Sequence, residues 1–160
     1  MSPNIILNYL SHLSAAFFIH QARRSVLSGK RIFEVNEKYY FEDIGLRHAM
    51  FGYRQIDIGK IIENLAHNHL RFLGYNVTVG KIGDKEIDFI CEKAGNRLYV
   101  QTAYLLPNDK VKEREFGNLL AVKDSYPKIV VSLDKDAGGN YLGVEHWNLL
   151  DFLSSDNLSR

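Results

Sequence analysis

Between Asp84 and Tyr104 the chain reads D-K-E-I-D-F-I-C-E-K-A-G-N-R-L-Y-V-Q-T-A-Y, and this stretch limits the fold more than any other. Ile87, Phe89 and Cys91 alternate with Glu86, Asp88, Ile90 and Glu92, the period of a strand with two distinct faces. Ala94-Gly95-Asn96 supplies turn chemistry. Leu98, Val100 and Thr102 then alternate with Tyr99, Gln101 and Ala103. The expected unit is a tight antiparallel hairpin with an acid inside its first strand. A polar residue, Gln101, and a small one, Ala103, share a face of the second. That is the outline of a metal site with members missing.

The remaining composition is compatible with one folded unit or one and a half. The chain has 160 residues, 46% of them apolar and 24% charged, enough for a packed core. A net charge of +1 and a pI near 7.9 do not form the electrostatic footprint of a dedicated DNA-binding protein. The single cysteine, Cys91, excludes an internal disulfide and suits a reducing compartment, so a cytoplasmic protein is expected. No run of 18 apolar residues suggests a membrane span, and the N-terminus lacks the form of a signal peptide.

Ser2-Pro3-Asn4 opens a helix, with Ser2 placed to cap it and Pro3 at the first helical position. Ile5, Ile6, Tyr9, Leu10, Leu13, Ala16 and Phe17 form its apolar stripe, which needs a partner. The stripe suggests either a dimer contact or a chain that is the C-terminal part of something longer. Phe17 to Arg24 reads as a strand. Lys30 to Glu42 reads as a second hairpin turning near Asn36-Glu37-Lys38, and Asp43 to Phe51 as a short helix. From Gln55 a second unit begins. Ile58, Ile61, Ile62, Leu65, Ala66, His69 or Leu70, and Leu73 give a helix closed by Gly74. Strands follow at Tyr75–Lys81, Lys85–Lys93 and Arg97–Tyr104, then a helix from Lys110 to Val122 and a buried strand from Lys128 to Leu133. Tyr141 to Glu145 extends, and Asn148 to Leu153 closes with a short helix. The expected division is a partial winged-helix segment, 1–54, and an α/β unit of order α-β-β-β-α-β, 55–160.

Five short motifs occur in a telling order: G-K-I-I-E-N-L (Gly59–Leu65), E-I-D-F-I (Glu86–Ile90), Y-V-Q-T-A-Y (Tyr99–Tyr104), E-R-E-F (Glu113–Phe116) and Y-P-K-I-V-V-S-L-D (Tyr126–Asp134). With them the chain resembles the PD-(D/E)xK nuclease-like fold. It looks most like the domain of unknown function that follows the ATPase module in prokaryotic AAA-type ATPases. S-P-N-I-I-L-N-Y-L-S-H-L (Ser2–Leu13) and E-K-Y-Y-F-E-D-I-G-L-R (Glu37–Arg47) resemble the winged-helix segment between the two. The resemblance implies an upstream ATPase domain as partner. The chain itself has no G-x-x-x-x-G-K-[ST] phosphate loop.

In active nucleases of this fold a helix Glu, a strand Asp and a Glu on the next strand hold a divalent metal, with a lysine two residues further on. The resemblance places Glu63 and Asp88 as the two acids, Gln101 where the second strand acid belongs and Ala103 where the lysine belongs. Two carboxylates hold Mg²⁺ only weakly, and no activating cation is present, so a relic site without cofactor is expected. Glu86 and Glu92 share the Asp88 face as substitute ligands, and Lys81, Lys85 and Lys93 are candidates for a relocated lysine. The histidines lack zinc spacing: His67 and His69 point apart on one helix. Ser-His-Asp and Cys-His catalysis have no motif support. Arg23, Arg24, Lys30 and Arg31 cluster as a possible grip on a nucleic-acid backbone, although the first helix carries no Lys or Arg to aid it.

Overall fold

The structure, a computed structural model, describes residues 2–26 and 31–158. Lys30 and the side chain of Arg31, two members of the expected basic grip, lie outside the described part.

Helix α1 (Pro3–Ala15) starts where Pro3 fits the first turn, but Ser2 makes no side-chain cap; its carbonyl accepts from Ile5 N instead. Strands β1 (Ile19–Val26) and β2 (Arg31–Phe41) pair antiparallel. The expected turn at Asn36–Lys38 is absent, because β2 continues through those positions as strand. The four residues 34–37 of β2 stand opposite the single Arg23 of β1, an irregularity within the ladder rather than a turn. The register slips between Ala22↔Lys38 and Arg24↔Phe33. Helix α2 (Ile44–Phe51) is capped by Asp43, whose Oδ1 accepts from Leu46 N. A single 3-10 turn (Gln55–Asp57) leads into helix α3 (Ile58–Phe72). Gly74, at φ 84°, takes the left-handed position past its end, and Tyr75 N donates back to Leu70 O.

Strands β3 (Asn76–Ile82), β4 (Lys85–Lys93) and β5 (Asn96–Thr102) form the antiparallel meander expected from the alternation. Helix α4 (Asp109–Leu120) crosses to β6 (Lys128–Ser132), which is buried along its whole length. β7 (Gly139–Tyr141) and β8 (Val144–Asn148) make a small hairpin, and α5 (Leu149–Leu153) closes the chain.

The eight strands form one mixed sheet in the order β2-β1-β3-β4-β5-β6-β8-β7. β1 joins β3 in parallel, so the strands of 1–54 and 55–160 share this sheet. Helices cover both faces. Ile62, Ala66 and Leu70 of α3 and Phe152 of α5 pack with Val79, Phe89, Val100 and Val131. On the opposite face Phe116 and Leu119 of α4 pack with Ile87, Ile90, Tyr99 and Val130. Among the described residues no helix is long and apolar enough to cross a membrane.

One irregularity in the meander sets the direction of its central acid. Thr78 pairs with Ile90 and Gly80 with Ile87, so β4 holds one residue more than β3 over that span. This is a β-bulge at Asp88-Phe89. Ile87 and Ile90 both pack on the α4 side, while Phe89 and Cys91 pack on the α3 side. Strict alternation from Ile87 to Cys91 is therefore broken, and Asp88 turns toward α3 with Phe89.

Candidate functional site

The bulge aims Asp88 at a carboxylate cluster on the α3 side of the sheet. Glu63 comes from α3, Glu86 and Asp88 from β4, and Lys38 from β2. Lys38 Nζ lies 2.8 Å from Glu63 Oε1, 2.6 Å from Glu86 Oε1 and 3.7 Å from Asp88 Oδ1. Tyr40, two residues along the same strand face, donates its hydroxyl to Glu63 Oε1 at 2.7 Å. Arg24 NH1 meets the other oxygen of Glu86 at 2.9 Å.

Asp88 is bonded from β5. Its Oδ2 accepts from Thr102 N and Thr102 Oγ1, each at 2.8 Å. Its backbone N–H donates to Gln101 Oε1 at 3.2 Å. The β4–β5 ladder stops at Phe89↔Val100, so these side-chain bonds carry the pairing past the point where the strands part. Gln101 does not join the carboxylates. It sits beside Val130 on the α4 side, where its Nε2 donates to the buried Glu115 at 3.1 Å. Arg114 clasps the other oxygen of Glu115. Ala103 packs against the α4-side core. The expected strand triad of acid, amide and small residue is thus split between two faces of the sheet.

The electrostatics follow from crowding. Burial alone would lower the Lys38 ammonium, but Glu63 and Asp88 outweigh it and raise it above its ordinary value. Burial, then the Glu63 charge, push the Asp88 carboxyl up to about 6 against Lys38 and the Thr102 bonds. Burial acts upward on Glu86, yet Lys38 and Arg24 hold it below its usual range. Burial and Glu63 raise the Tyr40 hydroxyl. All of these groups lean toward a fixed arrangement of Lys38 charged and Tyr40 neutral.

The other expected participants lie elsewhere. Glu92 pairs with Arg97 at the far end of β4. Lys85 donates to Gly117 O and Lys93 to Leu73 O. Arg23 is exposed on β1, while Arg24 is drawn into the cluster by Glu86. His67 is buried and stacks on Tyr40 with ring centroids 4.1 Å apart; burial holds its imidazole down at about 4. His69 reaches Ser155 O. Lys38, Tyr40 and Glu115 join these networks although none is expected as a site residue; they lie inside the stretches Glu37–Arg47 and Glu113–Phe116 that carry the resemblance. A further signal for Lys38 in the sequence is its period-two spacing from Tyr40, which the turn-like composition around it conceals.

Two further arrangements invite comparison. Ser132 Oγ lies 2.8 Å from both His146 Nε2 and Asp134 Oδ2, and it accepts from Asp134 N. The hydroxyl proton therefore goes to Asp134, and the imidazole must donate, the reverse of what a general base requires. Ser132 is also fully buried. A cleft of about 550 Å³ opens beside β7, β8 and α5, lined by Glu145, Trp147 and Asp151 among others. It shares no residue with the carboxylate cluster.

A divalent metal fits this donor set poorly. The oxygens stand 2.6–3.7 Å from an ammonium nitrogen, whereas Mg²⁺ demands about 2.0–2.1 Å in an octahedron. Among the described residues no group of three His, Cys, Asp or Glu side chains is arranged to hold a metal ion.

No protein-family model and no solved structure matches the chain. A curated protein of Haemophilus influenzae (strain ATCC 51907 / DSM 11121 / KW20 / Rd), called only an uncharacterized protein, is 38% identical over 131 residues. The match covers 82% of this chain and 32% of that protein, so the chain spans about a third of the length of the curated relative it matches.

Proposed function

We propose that the chain is a non-catalytic accessory module with a degenerate PD-(D/E)xK nuclease-like core, of the kind joined to prokaryotic AAA-type ATPases. The observation that carries this reading is the split of the strand motif. Asp88 faces Glu63, while Gln101 and Ala103 face α4. Among the described residues, no acid of β5 and no lysine two residues beyond it reach the pair. The element order α3-β3-β4-β5-α4-β6 supports the core assignment. Under this reading α1 and the β1–β2 ribbon are a winged-helix remnant annexed to the edge of the sheet. The greater length of the Haemophilus relative is compatible with a module attached to a larger protein. Regulation or partner binding is then the role of the surrounding surfaces.

A second reading is favoured by one distance: Lys38 Nζ at 3.7 Å from Asp88 Oδ1 puts a lysine beside the strand acid. In that reading Lys38 is a relocated catalytic lysine of a metal-dependent nuclease. A nucleic-acid grip through the hairpin gains less, because Arg24 is bonded to Glu86.

Incubation of the purified chain with supercoiled plasmid and branched DNA, in Mg²⁺ and in Mn²⁺, separates the two. The proposal expects no cleavage. Cleavage that disappears in Asp88→Ala would overturn it in favour of the nuclease.

A further inference from the structure

We infer that the Lys38 ammonium stands in for the divalent cation of the nuclease-like site, so that the cluster is complete and closed to metal as long as Lys38 is present. The inference rests on the proposed function, since it takes the Glu63–Asp88 pair as a relic of a metal site.

Charge supports it first. Glu63, Glu86 and Asp88 bring three carboxyls together on the α3 side of the sheet, with side chains 19%, 39% and 12% exposed. Carboxylates this close repel one another and lose hydration, so they need a cation among them. Lys38 supplies one. Its nitrogen approaches all three, and its side chain is itself only 26% exposed. Distances of 2.6 and 2.8 Å are those of charge-assisted hydrogen bonds.

Geometry points the same way. An ammonium holds its acceptors about 2.8 Å away, and a carboxylate set arranged around it is too wide for Mg²⁺. Other protein groups bond all three carboxylates as well. Tyr40 donates to the same Glu63 oxygen as Lys38, Arg24 holds the far oxygen of Glu86, and Thr102 holds the far oxygen of Asp88 with two bonds. A metal entering the cluster would have to displace Lys38 and would find Gln101 turned toward Glu115 rather than toward it.

The cation also comes from outside the core meander. Lys38 is delivered by β2, the strand at the edge of the sheet, with β1 and β3 between it and the bulged strand. The regular register from Ala22↔Lys38 to Ile19↔Phe41 places Lys38 and Tyr40 together over Glu63. The edge ribbon thus closes a cluster whose acids belong to the α/β unit.

The test is Mn²⁺ binding followed by electron paramagnetic resonance, with melting temperature in Mg²⁺ as a second readout. The wild-type chain is expected to leave Mn²⁺ free and to melt at the same temperature with Mg²⁺ or with a chelator. Lys38→Met is expected to melt lower in chelator, to recover with millimolar Mg²⁺, and to take up Mn²⁺ at least about tenfold more tightly than wild type. Should Lys38→Met not fold in chelator, folding on addition of Mn²⁺ supports the inference. Lys38→Met with Glu86→Gln, which removes a negative charge along with the positive one, repeats the test in a less strained background. Both variants remaining indifferent to Mn²⁺, folded or not, would overturn it. So would stoichiometric Mn²⁺ uptake by wild type that is lost in Asp88→Asn. Such uptake without DNA cleavage would overturn this inference alone; with cleavage it would overturn the proposed function as well.

Discussion

Asp88 and His67 are buried within the same layer and titrate in opposite senses. The Asp88 carboxyl is raised from 3.8 to about 6, so the folded state holds its proton longer than the unfolded chain. Its contribution is fully present below about pH 4 and is lost as pH rises toward 6. The His67 imidazole is lowered from 6.5 to about 4, so its contribution is present above about pH 6.5 and lost as pH falls toward 4. Each pKa unit corresponds to about 1.4 kcal/mol, and the two slopes oppose one another between roughly pH 4 and 6. Denaturant titrations across that window separate them. The stability of Asp88→Asn relative to wild type should grow as pH rises from about 4 to 6. That of His67→Phe, which keeps a ring against Tyr40, should decline over the same range. Parallel curves for wild type and either variant would show that the group does not titrate as its burial requires.

At the scale of elements, the bulge and the α3–β2 contact are the two devices that assemble the cluster. Gly80 lies opposite the bulge, and a Cβ there would come within 3.0 Å of Ile87 and Ile90 side-chain atoms. Gly80→Ala should cost about 1–3 kcal/mol in chemical denaturation, because those isoleucines are packed into the core beneath α4. An unchanged midpoint would mean that the bulge relaxes freely. Asn64 ties α3 to β2 through the backbone: its Oδ1 accepts from Phe41 N at 2.8 Å and its Nδ2 donates to Phe41 O at 2.7 Å. Asn64→Ala takes the side-chain acceptor from Phe41 N, while Phe41 O keeps Asn68 Nδ2 at 2.8 Å, and should also cost about 1–3 kcal/mol. It should loosen hydrogen-exchange protection in β2 before the rest of the sheet. Protection lost evenly across the sheet would contradict a local clamp.

The same devices divide what is legible in the sequence from what is not. The helices declare themselves by stripes such as Ile62, Ala66 and Leu70, and the meander by alternation around a Gly95 turn, because burial imposes those periods directly. The bulge leaves no such mark, since one extra residue in β4 is visible only against its partner strand. Strand β2 is hidden for a related reason. Asn36-Glu37-Lys38 has turn composition, but the strand continues through it: Lys38 pairs with Ala22, and the residues before it are taken up in the irregularity opposite Arg23. A turn there would carry Lys38 away from the acids, which leaves Lys81, Lys85 and Lys93 as the apparent candidates. Gln101 is legible as a changed position, yet the face it takes depends on where β4 and β5 part.

For the whole molecule, the sheet is covered by helices on both faces at its centre, and α1 carries a run of exposed apolar residues. α1 buries none of its residues; Ile5 and Tyr9 are 46% and 61% exposed, and Phe17 beyond it is 72% exposed at φ 57°. Apolar surface of this kind marks contacts with other polypeptide or a liability to aggregate. Because Ile5 and Tyr9 contribute nothing to the buried core, Ile5→Glu with Tyr9→Glu should leave the melting temperature within about 2 °C of wild type while raising solubility. A large drop in melting temperature would show that α1 supports the sheet after all. The molecule as a whole turns on whether its edge ribbon or a metal neutralises the acids of the meander. A crystal structure grown in excess Mn²⁺, with anomalous scattering used to locate the metal, tests this most directly. Closure by lysine predicts Lys38 Nζ between Glu63 and Glu86 with no anomalous peak there. A Mn²⁺ peak bonded to Glu63 and Asp88, with Lys38 swung aside, would contradict it.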